Sequence, residues 1–192
     1  MRLIRRVSGR RAPERVFHLS PVRFQRFEQQ WNQPHIGFHF GSKETAFAVA
    51  DKLQKEGRVQ PGDTLYLYEV TLDAAHPLVF EEDALQWRPG AGAWTLTAIL
   101  RKLFERDDLL PGFTEEDQDA YFEDELLSPS GENLKDLGYD RREELREFAA
   151  WFNARGYDSI AYENTFEGGG TSYIVFRPEQ IRILDVTTWT LP

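Results

Sequence analysis

The chain has 192 residues, 41% of them hydrophobic and 14% aromatic, which gives one domain a real core and excludes disorder. Lys and Arg number 23 against 32 Asp and Glu, and the net charge of −9 disfavours broad, sequence-independent binding to phosphate backbones. There is no cysteine, so disulfide scaffolds, Cys-based zinc sites and thiol nucleophiles are excluded.

Residues 1–15 carry six arginines with no apolar run behind them, which reads as a solvated basic tail (1–14) rather than a nucleic-acid or membrane arm. With no apolar stretch of secretory or membrane-spanning length, the expected setting is cytoplasmic, without membrane. Arg15–Ser20 reads as a short strand, and residues 22–32 as a weak helix or extended segment. Pro34 breaks the chain, and Ile36–Phe40 alternates as a second strand. Ser42 stands at an N-cap position. Ala46, Val49, Ala50 and Leu53 then recur with helical spacing, and Gly57 closes the helix. Leu65–Leu72 reads as a strand after the Pro61-Gly62-Asp63 turn, and Leu78–Phe80 continues extended. A helix over Thr95–Leu103 and an acidic helical insertion at 105–135 follow. The seven acidic residues from Glu115 to Glu125 make a solvated face. Asp140 opens a helix with a Leu145, Phe148, Ala149, Phe152 stripe, ended by Gly156. Three strands close the chain: Tyr157–Tyr162, Ser172–Phe176 and Ile181–Val186. Strands early and late with helices between indicate a single α+β domain over 1–192.

Side chains alternate along a strand. Val16, His18 and Ser20 therefore share one face. Gly37, His39 and Gly41 share another, opposite Ile36, Phe38 and Phe40, which make a core face. Two glycines beside an imidazole mark close approach by a ligand or by another stretch of backbone. His35 and His39 do not make a metal pair: on a strand they lie ~13 Å apart, and Zn–N distances are ~2.0–2.1 Å. The Gly168-Gly169-Gly170 run lacks the context of a phosphate-binding loop and reads as a hairpin connection, with Glu163 and Glu167 flanking it.

The ordered set FHLS (17–20), GFHFGSKETA (37–46), YDSIAYEN (157–164) and SYIVFRPEQIRIL (172–184) resembles the ADP-ribosyltransferases. The likeness is to the bacterial and phage-borne polyvalent-protein members, and more distantly to the poly-ADP-ribose polymerase branch. It covers the chain up to about Ala50 and again from about Ala149 to Leu184. It implies a split antiparallel β-sheet core with flanking helices. It also implies cleavage of the nicotinamide N-glycosidic bond of NAD, with transfer of ADP-ribose to a macromolecular acceptor. A protein acceptor is favoured over nucleic acid, an inhibitory partner protein is compatible with a toxin role, and no metal is required.

By the same resemblance, His18 hydrogen-bonds an NAD ribose hydroxyl, with Ser20 beside it. Leu19 stands where the family has the glycine whose backbone holds the nicotinamide amide. His39 takes the place of the tyrosine that stacks on nicotinamide, and Gly37, Phe38 and Ser42 complete the binding set. The catalytic glutamate aligns with Ser172, which supplies a hydrogen bond but no charge. Glu167 is then the nearest carboxylate, with Glu163 in reserve. The missing glutamate opens a second reading, a degenerate module that binds NAD or ADP-ribose, or a partner protein, without turnover. A third is a plain interaction domain, with the acidic insertion and Trp31, Trp87 and Trp94 as its surface.

Overall fold

The computed structural model describes residues 15–28, 37–80, 149–150, 152–164 and 169–192. The expected basic tail, the helix at Thr95–Leu103, the acidic insertion, the helix start at Asp140, Ile36, Glu167 and the three tryptophans all lie outside the described residues. In chain order the elements are β1 (Val16–Ser20), β2 (Phe38–Phe40), α1 (Lys43–Lys55), β3 (Thr64–Leu72), β4 (Pro77–Phe80), β5 (Ser159–Glu163), β6 (Thr171–Val175) and β7 (Ile181–Thr190). Residues 149–150 and 152–154 are helical (α2). The class is α+β, as the order of elements implies. Residues 22–28 are neither helix nor strand.

Local chemistry explains the helix. The Ser42 hydroxyl accepts from the Thr45 N–H at 3.1 Å, Glu44 lies in the first turn, and Lys52 and Lys55 lie in the last. Its end is a Schellman arrangement: Gly57 N–H bonds Gln54 O and Arg58 N–H bonds Leu53 O. Ala46, Ala50 and Leu53 then pack with Leu19, Leu65, Leu67, Val59 and Leu191 on one face of a three-stranded antiparallel sheet, in the order β1-β3-β7.

The other face of that sheet meets a four-stranded sheet of order β2-β6-β5-β4. Val16, Tyr68 and Val70 from the first sheet pack with Phe40, Ala161, Tyr173 and Val175 from the second. Among the described residues one isolated backbone bridge, Phe17 to Gly41, links the two sheets. The core is not antiparallel throughout, because β4 runs parallel to β5. The Asp158 carboxylate explains the exception. It accepts from the N–H groups of Ala75 (2.8 Å) and His76 (3.0 Å), and the Asp158 N–H bonds His76 O at 3.1 Å. Both strands thus start from one knot and leave it in the same direction. Strand β5 begins at Ser159 rather than Tyr157, because the Tyr157 N–H is spent on Phe152 O at the end of α2.

Gln180 joins the sheets. Its side chain is buried, at 4% exposure. Oε1 accepts from the N–H groups of Phe176 (3.1 Å) and Arg177 (3.0 Å), and Nε2 donates to Asp73 O (3.0 Å) and Asp158 O (2.9 Å). Every hydrogen-bonding position of the amide is used. Gln180→Leu keeps the apolar volume and strands four backbone groups. We expect a loss of about 3–5 kcal/mol, read from the urea midpoint. A loss under about 1 kcal/mol would mean that water replaces the amide.

Candidate functional site at the β1–β2 fork

The resemblance points to four segments, and the fold sets three of them, on β1, β2 and β6, side by side. Strand β2 pairs with β6 in the register Phe38 to Val175, His39 to Ile174 and Phe40 to Tyr173. At its other edge Gly41 exchanges two backbone bonds with Phe17 of β1, at 2.9 and 3.1 Å. Beyond that bridge the strands part, β1 staying with β3 and β2 with β6. The result is a fork.

The backbone groups of alternate residues leave a strand by the same edge. Since Phe17 directs its N–H and C=O toward β2, Leu19 does too. A continued ladder would bond Leu19 to His39. Instead the His39 carbonyl accepts from Nδ1 of the His18 ring at 3.0 Å, and no described residue of β2 bonds the Leu19 backbone. The imidazole thus replaces a rung of the ladder. What remains is a donor and an acceptor on Leu19 facing the fork, in a residue only 4% exposed.

His18 sits on the face that meets the second sheet. Its ring lies 5.3 Å from Phe27, 5.8 Å from Phe40 and 6.3 Å from Tyr68, centroid to centroid. A carbonyl can only accept, so Nδ1 carries the hydrogen and the neutral ring keeps its lone pair on Nε2. Burial among these rings lowers the His18 pKa below its usual value, and the bond to the His39 carbonyl opposes the shift. Among the described residues no hydrogen bond to Nε2 is present.

The other expected site residues are not gathered around this histidine. Phe38 and Phe40 belong to the aromatic cluster, so alternation turns His39 to the opposite face. Ser172 also lies on that opposite face, buried at 2% exposure, where its hydroxyl accepts from Asn164 Nδ2 at 3.1 Å. His18 therefore does not share a face with His39 or Ser172. The glycines are explained by the chain itself. A β-carbon on Gly37, which has φ of 63°, would lie 2.4 Å from Val175 O, and one on Gly41 would lie 2.7 Å from the Thr45 side chain. Neighbouring strand and helix fill the space that the sequence left open to a ligand. Ser42 caps α1, and the Ser20 hydroxyl accepts from the Val22 N–H at 3.1 Å. Glu163 ends β5 on the face of Ala161, which is the face of His18's cluster, and its carboxylate accepts from the Gly170 N–H at 3.1 Å. Glu167 lies outside the described residues.

Sequence reasoning overlooked Tyr68. It lies opposite His18 in the β1–β3 register and is fully buried. Only the strand alternation of Leu65–Leu72 signals its inward direction. Burial raises the pKa of its phenol, and the hydrogen bond with the Phe24 backbone opposes this.

Among the described residues no group of three or more His, Asp or Glu is placed to hold a metal ion, and no helix is long and apolar enough to cross a membrane. Comparison with protein-family models, with curated proteins and with solved structures finds no match for this chain.

The depressed His18 pKa has a definite sign. The folded chain resists the proton that the unfolded chain accepts. The contribution is intact above the unfolded value near 6.5 and is lost as pH falls through and below it. One proton sets a ceiling of about 1.4 kcal/mol per pH unit. His18→Asn retains a donor for the His39 carbonyl and cannot titrate. Denaturation at pH 7.5, 6.5 and 5.5 should show wild type losing stability more steeply than this variant. Parallel curves would mean that His18 is not held neutral.

Proposed function

We propose that the β1–β2 fork binds NAD and that the chain is an NAD-dependent ADP-ribosyltransferase. The observation that carries the reading is the Leu19 backbone. Its N–H and C=O face the gap where the ladder stops, beside a neutral histidine. A carboxamide such as that of nicotinamide offers the matching acceptor and donor, and His18 Nε2 can accept from a ribose hydroxyl. The adjacency of β1, β2 and β6 supports the same reading, since these strands carry three of the four resembling motifs and β5, paired with β6, carries the fourth.

The roles shift within the expected set. Phe38, on the face of His18, takes over the stacking role that the resemblance gave to His39. Ser172, buried and bonded to Asn164, is given no step in this reading. As nicotinamide leaves, positive charge develops on the ribose, and a carboxylate placed against it lowers the barrier. Glu163 is on the correct face, and Glu167 remains the other candidate. ADP-ribose then passes to an acceptor, with protein favoured by the net charge of −9.

One observation favours a second reading, a module that binds NAD or ADP-ribose without turnover. The position of the family's glutamate is a buried, neutral serine.

Titration of NAD with nicotinamide release followed in the same sample separates the two. Saturable binding weakened at least about tenfold in His18→Ala supports the fork, a loss matching the ~1–3 kcal/mol cost of leaving a buried polar group unpaired. Release that persists in wild type and fails in Glu163→Gln or in Glu167→Gln, with binding retained, assigns the carboxylate. Binding without release selects the module, and no binding at millimolar NAD rejects both.

A further inference from the structure

We propose that residues 21–28 form a strap that covers the β1–β2 fork, latched by the Tyr68 hydroxyl, and that ligand reaches His18 when the strap lifts. The ligand's identity as NAD rests on the preceding reading; the strap and its latch do not.

The strap plugs both prongs of the fork with one ring. Phe27, 6% exposed, lies edge-on to His18 of β1 at 5.3 Å, and within 5.8 Å of Phe38 and 5.3 Å of Phe40 of β2. Phe24 lies flat on Tyr68, with centroids 4.1 Å apart and planes 7° from parallel, and meets Phe27 at 4.8 Å. Pro21, Val22, Arg23, Gln25, Arg26 and Glu28 face outward and are exposed. Two inward rings with charged and polar neighbours outside make a cover with one apolar side.

The strap is lightly attached. No backbone–backbone hydrogen bond joins residues 21–28 to any described element. Its N–H groups are held by side chains, Val22 by Ser20 Oγ and Phe24 by the Tyr68 hydroxyl at 2.6 Å. The same hydroxyl donates to Phe24 O at 3.1 Å, so one phenol satisfies both polar groups of Phe24. A segment held by two rings and two hydroxyls opens at lower cost than the paired strands beneath it. Its apolar rings make the closed state the resting one. Tyr68 is the partner of His18 in the β1–β3 register, so the latch stands beside a ring that the strap leaves half-buried.

Diethyl pyrocarbonate, which acylates neutral imidazole nitrogen, reads His18 access without any ligand. Exposed His76 in the same chain is the internal standard. Labelling is followed by peptide mass spectrometry at neutral pH. We expect His18 to react much more slowly than His76 in wild type. Tyr68→Phe keeps the ring and removes the latch, and should speed His18 about five- to a hundredfold, the factor set by loss of the two hydrogen bonds to Phe24, with His76 unchanged. Phe24→Ala, on the strap rather than in the core, should act in the same direction. His18 labelling as fast as His76 in wild type, or no acceleration in either variant, overturns the latch. NAD affinity should rise in Tyr68→Phe by the factor seen in labelling, because the competent fraction rises. Faster labelling with unchanged NAD affinity overturns the control of ligand entry. Faster labelling with no NAD binding in any of the three proteins supports the strap and refutes the NAD reading alone.

Discussion

A single buried amide holds the two sheets in register. Gln180 takes the last N–H groups of the β6 end, the carbonyl that follows β3 and the carbonyl that precedes β5. Asp73 answers with its own N–H to Gln180 O at 2.8 Å. Strand β3 belongs to one sheet and β5 and β6 to the other, so the amide fixes their separation at this end. At the far end the Phe17–Gly41 bridge does the same with backbone alone. The aromatic cluster fills what lies between. Neither tie is replaceable by generic packing, since an apolar side chain at 180 covers the same area and leaves buried polar groups unpaired.

The fork follows from these two constraints. Strands β1 and β2 meet at one rung and then answer to different partners. A gap between strands normally costs unpaired backbone groups. Here the His18 ring takes one of them, the His39 carbonyl, and the Leu19 groups keep the rest. A ring fixed at Nδ1 and surrounded by phenyl groups has a defined tautomer and a defined free lone pair. That combination suits recognition of a hydroxyl and a carboxamide more than proton shuttling, because the imidazolium is disfavoured where it sits. Under the proposed strap His18 is half-buried rather than sealed off, so a hydrophobic enclosure is compatible with a polar role for the ring.

Much of the local structure was legible in the sequence. Ser42, the Ala46–Leu53 spacing and Gly57 encode α1 within a few residues of one another, and alternation encodes β3. The core face of Phe38 and Phe40 was also readable. What alternation cannot supply is how one strand's face relates to another's. His18 and His39 each had a correct face within their own strands, and only the Phe17–Gly41 rung shows that those faces are opposed. The glycines illustrate the same gap. Gly37 and Gly41 signal close approach, but the approaching atoms come from Val175 and Thr45, one of them more than 100 residues away in the chain. Asp158 and Gln180 act by side-chain to backbone bonds across distant segments, and such bonds leave no local pattern. The motif likeness drew attention to the stretch containing Gln180 without giving its role.

The interleaving of strands also sets the order of events during synthesis. Strand β3 needs β7, pairing Thr64 with Thr190, and β2 needs β6, while β4 needs β5. At ~5–20 residues per second, the roughly 100 residues between Phe80 and Ile181 take about 5–20 s to emerge. Throughout that interval the edge of β3 that takes β7 lacks its partner, and Leu65 and Leu67 on one face and Val70 on the other lack the cover that later strands bring. Strands before residue 81 are therefore a waiting half, and a nascent chain stalled in the middle is the species most exposed to wrong pairing or to capture by a chaperone.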